Sequence, residues 1–345
     1  MDQTDTTAAG RGSPDNGGSR RHWVRGPAAF GDWLGMLVFL ALLIAAFGLK
    51  AEHFLTRQTF VTIANQVPDA VLLAIGMTFV LVVAGIDLSV GSVLALSSAV
   101  LGVSILRGHW PVWAAIVAAL ATGSLCGLLN GLVTVVWRLP SFIVTLGMLE
   151  IARGATYLVT RSQTQYIGAP IEGVAAVALL GLSLTFLLAL ALVVLGELVL
   201  TRTVFGRYMV AIGTNEEAVR LSGIDPRPVK VMVFALCGLL SGLAAVVQTS
   251  RLASADPNAG SGAELQAIAA VVVGGTSLMG GRGSVVRSLF GVLLIAVLGA
   301  GLAQIGASEP AKRVITGGLI VAAVVLDHYR QRAAKAGRWL CGDEH

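Results

Sequence analysis

The sequence predicts an all-α, polytopic membrane protein. Of 345 residues, 55% are hydrophobic and only 12% charged, and the mean hydropathy is +0.81. A soluble domain is about half apolar and about a quarter charged. Apolar runs of membrane-crossing length also recur along the whole chain. A helix rises about 1.5 Å per residue and the hydrocarbon layer is about 30 Å thick, so about 20 apolar residues make one crossing. Long runs with no period-two alternation exclude the closed barrel, the other fold that satisfies every backbone polar group in lipid.

Taken in order, residues 1–28 are polar, rich in Gly and Ser, and carry Arg11, Arg20, Arg21 and Arg25. They read as a disordered cytoplasmic tail, since no short apolar region with a small-residue cleavage site is present. Their basic cluster points to orientation in the bilayer rather than to nucleic acid. About ten spans follow, near 31–49, 68–86, 88–106, 111–137, 141–159, 174–200, 229–249, 264–280, 284–305 and 312–327. The membrane domain is thus 29–327, and 328–345 form a second cytoplasmic tail. With the N-terminus inside, most of the 24 Lys and Arg residues fall on cytoplasmic segments, which places both termini there. Cys126 and Cys237 lie in apolar runs and Cys341 in the tail, and the five histidines are scattered, so no disulfide framework or metal site is expected.

Polar residues inside apolar sequence mark candidate sites. In "VVAGIDLSVGSVLALSS", residues 82–98, Asp87 separates two spans. Its carboxylate can accept from the N–H of Ser89 or Val90 as an N-cap, with Gly85 and Gly91 allowing a tight backbone. The alternative is that this break lines a translocation path, because non-helical backbone at membrane depth is tolerated only where protein or water covers it. Asn65, Gln66, Ser141 and Thr145 are further path candidates, with packing or capping as the competing role. Glu150 and Arg153 lie three apart and share a helix face, where an ion pair would let both be buried; a place in the path is the alternative. Glu197 is expected to reach the cytoplasmic interface. An echo between Asp87-Leu88 and Glu264-Leu265, and between Pro140 and Pro310, suggests an inverted repeat whose corresponding spans open from opposite faces.

The longest internal polar segment is 201–230. Within it Thr214 and Glu217 form a T-x-x-E capping box, and Gly223 before Asp225-Pro226 stops the chain, which describes a helix of about eight residues. Ala218, Leu221 and Ile224 give it an apolar face. It is either an interfacial connector or a docking helix for a cytoplasmic partner. The glycine stretch 271–284 has no G-x-x-x-x-G-K-[ST], so no Walker phosphate cradle is present. No cluster of catalytic side chains appears either, and the chain reads as a non-enzyme.

Four stretches, "GIDLSVGS" (85–92), "LPSFIVTLGML" (139–149), "AIGTNEEAVRLSGI" (211–224) and "ELQAIAAVVVGGTSLMGGRGS" (264–284), together resemble the permease subunits of bacterial ABC-type sugar importers, the ribose, xylose and galactoside group. The likeness runs in register from about residue 60 to 326. It implies a fold akin to the cobalamin importer's permease, in the bacterial cytoplasmic membrane. It implies as partners a second permease subunit, an ABC ATPase that carries the ATP and Mg, and an extracytoplasmic solute-binding protein that delivers a sugar, most simply a monosaccharide. By the same likeness Asn215, Ala218, Gly223 and Ile224 stand at recurrent positions of the family's coupling helix, within a coupling loop of 201–228. Val219 adds bulk where the family's loop has a small residue, and Glu150 has no counterpart in its pattern. The competing function class is an ion-coupled transporter of a small polar solute, with Glu150 as its carboxylate.

Overall fold

The computed structural model describes residues 27–308, 310–318, 321–322 and 325, with side chains from residue 35 onward except at 178 and 179. Residues 1–26 of the first tail, the second tail and Cys341 lie outside these residues, while the last two residues of the first tail already belong to the first helix. In chain order the helices are α1 (Pro27–Lys50), α2 (Arg57–Gln66), α3 (Pro68–Val82), α4 (Val90–Leu106), α5 (Val112–Val136), α6 (Ser141–Thr160), α7 (Ala169–Glu172), α8 (Leu184–Arg202), α9 (Val204–Thr214), α10 (Glu216–Leu221), α11 (Arg227–Leu252), α12 (Ala263–Val273) and α13 (Val285–Gln304). Residues 310–318 are also helical.

Five of these, α5, α6, α8, α11 and α13, are long and apolar enough to cross a membrane, and α2 with α3, bent by 49°, forms either a broken sixth span or a re-entrant loop. The chain is therefore a multi-pass membrane protein. The bend falls at Val67-Pro68, where proline begins a new helix without an N–H to continue the old one.

Helix α11 is the hub, packing against α5, α3 and α4. Its contact with α5 is made by glycine. Gly123, Gly127 and Gly131 recur every fourth residue on α5 and meet Gly238, Gly242 and the backbone at Val231 and Phe234 on α11. A Cβ on Gly127 would stand 3.0 Å from both N and Cα of Gly238 and closer still to the Phe234 carbonyl oxygen. In lipid, where apolar side chains gain nothing by hiding from the solvent, such backbone-to-backbone packing supplies the van der Waals contact that holds helices together. At the end of this hub the Arg251 guanidinium donates to Asp69 at 3.0 Å and the Gln248 amide to the same oxygen at 3.2 Å, tying the first turn of α3 to the last of α11. Asp69 is buried, and its position in the first turn also suits the helix dipole.

The structure departs from the expected spans in two places. The apolar run 174–200 is not one α-helix: after a 3-10 turn (Gly173–Ala175) it forms a hairpin, β2 (Val177–Leu179) with β3 (Leu182–Ser183), turned at Leu180 (φ 53°) and Gly181 (φ 89°). Two successive positive φ values make the tight hairpin turn that glycine favours, and Ser183 then caps α8 by accepting from the Phe186 N–H. A second short pair joins β1 (Gln165–Tyr166) to β4 (Ser254–Ala255), so the fold is helical with two small antiparallel additions. The run 264–280 is likewise not one continuous helix. Helix α12 ends at Val273, the chain turns at Gly275 (φ 82°), and at eleven residues α12 is too short to cross. The loop that follows seats Gly281 on the end of α3, its N–H donating to the Val82 carbonyl at 2.9 Å.

Candidate functional site

Two places gather the residues singled out in the sequence. The first is the break between α3 and α4. Helix α3 stops at Val82, and Ala84 takes the left-handed conformation (φ 58°) that lets Ala84 and Gly85 donate back to Leu81 and Val80. The strained position is thus Ala84, not Gly85 as the tight-backbone reading supposed; Gly85 instead gives room, with the Phe234 ring 3.2 Å from where its Cβ would stand.

The N–H groups of the non-helical segment 85–89 have no helical partners, and side chains from other helices replace them. Ser141 of α6 accepts from the Ile86 N–H at 2.9 Å, and Thr145, one turn on, accepts from the Leu88 N–H at 3.1 Å. Asp87 accepts from both the N–H (2.9 Å) and the hydroxyl (2.6 Å) of Ser89, and Asn130 of α5 donates to the Ser89 oxygen at 2.9 Å. Asp87, Ser89, Asn130 and Thr145 are all buried. The hydrogen bond expected from the Ser89 N–H to Asp87 is present, but Ser89, not Asp87, holds the N-cap position of α4. Asn130 was not singled out in the sequence; a lone asparagine in an apolar helix, beside Gly131, was the available signal.

Gly91, in the first turn of α4, abuts Gly260 and the Glu264 carboxylate at the start of α12, so closely that a Cβ would collide with both. The sequence reading put Asp87 and Glu264 at opposite faces of the bilayer. In the structure the starts of α4 and α12 meet, because the segment before α12 runs along α4 from Gly102, beside Ala255, to Gly91. Three buried polar atoms here, Ser92 Oγ, Asn130 Oδ1 and Glu264 Oε2, have no protein partner.

Asn65 and Gln66 do not join this group. Asn65 holds the hairpin, donating to the Gly181 carbonyl (3.0 Å) and accepting from the Ser183 N–H (2.8 Å), while Gln66 lines a separate shallow cavity beside Gln304. Nor do Glu150 and Arg153 pair: no ion pair joins them among the described residues, and Glu150 is exposed on the outward side of α6. Glu197 is half-buried and caps α13, accepting from the N–H groups of Val285 (2.7 Å) and Val286 (3.2 Å) and from the Ser284 hydroxyl.

The second place is α10. Its N-cap is Asn215, which accepts from the Ala218 N–H at 2.9 Å, and not Thr214, whose hydroxyl donates back to Val210 inside α9. The expected capping box fails because Glu217 pairs with Arg220 instead. Gly223 (φ 82°) ends the helix as its position suggested. Val219 is buried and Ile224 packs on the core, so these two bulky residues anchor the loop, while Ala218 is exposed and Leu221 is 79% exposed. Ile224 therefore leaves the outward face assigned to it. Beside α10 lies an open cavity of about 540 Å³ lined by Arg138, Glu216, Arg220, Asp225, Arg227 and Lys230. Among the described residues no group of three or more His, Cys, Asp or Glu could hold a metal ion.

Residues 59–324 match the family model described as a branched-chain amino acid transport system permease component. The chain is 38% identical over 309 residues to the ribose import permease protein RbsC of Escherichia coli (strain K12), covering 86% of this chain and 93% of that protein. It is 42% identical over 304 residues to RbsC of Bacillus subtilis (strain 168), with 85% and 92% covered, and 36% identical over 302 residues to the D-allose transport system permease protein AlsC of Escherichia coli (strain K12), with 87% and 93% covered. No solved structure gives a significant match. The chain belongs to the family of bacterial import permeases that this model describes and that includes these ribose and allose permeases.

Proposed function

We propose that this chain is the membrane-spanning permease subunit of an ATP-driven sugar importer, forming the path for a monosaccharide handed over by an extracytoplasmic solute-binding protein. The names of the relatives support a sugar over the amino acids of the family description, and an importer over ion-coupled transport. ATP and Mg belong to a separate ATPase, and a second permease subunit completes the path. The membrane domain is 29–327 between two cytoplasmic tails, with ten crossings, a cobalamin-permease-like inverted repeat and the 201–228 loop inside. The short helices α4 and α12, which meet at Gly91, count as crossings in this reading, each completed by the non-helical segment beside it.

The observation that carries the proposal is the two-sidedness of α10. A six-residue helix is too short to be stable in water alone. Here Asn215 caps it and Val219 and Ile224 fasten it to the bundle, leaving Ala218 and Leu221 facing away. A fixed apolar face on a polar loop suits a groove on the ATPase, which would then move this loop when it closes on ATP. The break at 85–91, with its unpartnered Ser92, Asn130 and Glu264 oxygens, supports a path that runs past Asp87 and Ser89.

Co-purification with the partner ATPase tests this. Ala218→Arg and Leu221→Asp alter only the outward face, so both should release the ATPase while the permease still elutes as a folded species. Retention of the ATPase by both variants would remove α10 as the docking site.

A further inference from the structure

The cavity beside α10 holds more positive charge than its own carboxylates neutralise. Four basic residues line it, Arg138, Arg220, Arg227 and Lys230, against two acidic ones, Glu216 and Asp225. Lys230 pairs with Glu216, and Arg220 with Glu217, which is not part of the lining. Asp225 is engaged locally, accepting from the backbone N–H of Arg227 at 3.0 Å. Arg138 and Arg227 make no ion pair among the described residues, and both are exposed.

These two arginines come from different walls. Arg138 stands at the corner between α5 and α6, and Arg227 is the first residue of α11. The walls lie side by side because the two helices run antiparallel, with Gly131 near the end of α5 against Val231 near the start of α11. On the α5–α6 side the cavity borders apolar surface: Val136, Trp137, Leu139, Phe142 and Ile143 are all exposed. Exposed apolar side chains at the ends of membrane-crossing helices suit acyl chains, and a tryptophan there suits the level of the headgroups. The charged lining and the apolar border meet at Arg138 and Leu139, which both line the cavity.

We propose that this cavity binds the phosphate headgroup of an anionic phospholipid between Arg138 and Arg227, with the acyl chains lying along the apolar residues of the α5–α6 corner. The planar guanidinium fork matches phosphate oxygens two at a time, and a basic pocket between membrane helices is a recurrent headgroup site. A soluble anion would use the charges and leave the apolar border idle, as would an acidic side chain of a cytoplasmic protein. A lipid uses both at once. Lodged there, the headgroup ties the α5–α6 corner to the segment that carries α10, so bilayer composition steadies that loop. The inference needs the chain only to be a multi-pass membrane protein and does not depend on its solute or its ATPase.

The test takes the full-length permease, purified in neutral detergent without any ATPase, and offers it equal amounts of phosphatidylglycerol and phosphatidylcholine. Lipid retained after washing is read by native mass spectrometry. Wild type should hold phosphatidylglycerol well above phosphatidylcholine. Arg138→Gln with Arg227→Gln should lower retained phosphatidylglycerol by about tenfold or more and leave phosphatidylcholine unchanged. Arg202→Gln, which removes an exposed arginine outside the cavity, should leave both lipids at wild-type levels. Inorganic phosphate in millimolar excess should not displace the lipid, because it has no chains; displacement makes the site one for a free anion and overturns the proposal. Equal retention of the two lipids by wild type, a comparison that needs no variant to fold, overturns it, and so does an equal loss in Arg202→Gln and the double variant. Loss of the ATPase from the double variant with no lipid preference in the wild type gives the cavity to acidic side chains of that subunit, and overturns it too. Failure of the α10 docking experiment leaves all these outcomes unaffected.

Discussion

Gly127→Ala and Gly299→Ala make the same chemical change in two apolar helices, and the structure gives them opposite signs. Alanine is favoured over glycine in a helix by about 1 kcal/mol. At Gly299 in α13 no atom lies within 4 Å of the new Cβ, so that gain is kept whole. At Gly127 the new Cβ would stand 3.0 Å from N and Cα of Gly238, where ordinary carbon contacts are about 3.5–4.0 Å. Those atoms are backbone of the hub helix and cannot rotate aside, so α5 and α11 must part by about 0.5–1 Å, enough to lose a quarter to a half of each affected contact. Overpacking of this kind costs about 1–3 kcal/mol, and the lost contacts at Gly123 and Gly131 add to it. After the propensity gain, Gly127→Ala should destabilise by about 1–2 kcal/mol, a factor of about 5–30 in the folded ratio. The assay is the fraction of permease that survives graded heating in detergent, read by size-exclusion chromatography. Gly127→Ala should fall below wild type and Gly299→Ala should match or exceed it. If Gly127→Ala survives as well as Gly299→Ala, the glycine seam does not hold α5 to α11.

Removing the α10 cap with Asn215→Ala should cost the loop about 0.5–2 kcal/mol and reduce ATPase retained on purification, while the bundle's heat survival stays at the wild-type level. Glu197→Ala removes the acceptor of three donors at the start of α13, two of them backbone N–H groups, and should lower heat survival by the equivalent of about 1.5–3 kcal/mol; Glu197→Gln, which keeps one acceptor oxygen, should recover part of the loss. Ser141→Ala with Thr145→Val leaves the Ile86 and Leu88 N–H groups without acceptors at about 1–3 kcal/mol each, so exchange of those two amides should quicken relative to the flanking helices.

The long apolar helices could be read from length and hydropathy alone, and their bounds fall within a few residues of expectation in α4, α5, α6, α11 and α13. Asp87, Ser89, Ser141 and Thr145 were each visible as polar residues without an obvious duty; only the fold shows that the last two serve the first two. The misses share a cause. Hydropathy cannot tell an apolar hairpin from an apolar helix, so the turn at Leu180-Gly181 was absorbed into a span, although Gly181 and Ser183 carried the signal. It also treats a glycine-broken run as continuous, which lengthened α12. Glu150 and Arg153 were paired by spacing, yet three residues of separation permits an ion pair without requiring one. Thr214 fitted a capping pattern that Asn215, one position later, fulfils. The spacing of Gly123, Gly127 and Gly131 was a legible sign of close helix packing, but its partner on α11 lies more than a hundred residues away and no local rule connects them.

That separation has a consequence in time. Asp69 and Arg251 are 182 positions apart, so at about 5–20 residues per second the carboxylate emerges about 10–40 s before its guanidinium exists. Gly123, Gly127 and Gly131 wait through much of the same interval for the helix that covers them. The centre of the finished bundle is thus among the later parts to be synthesised, and the earlier helices must be held in the membrane, seams open, until α11 slides between them.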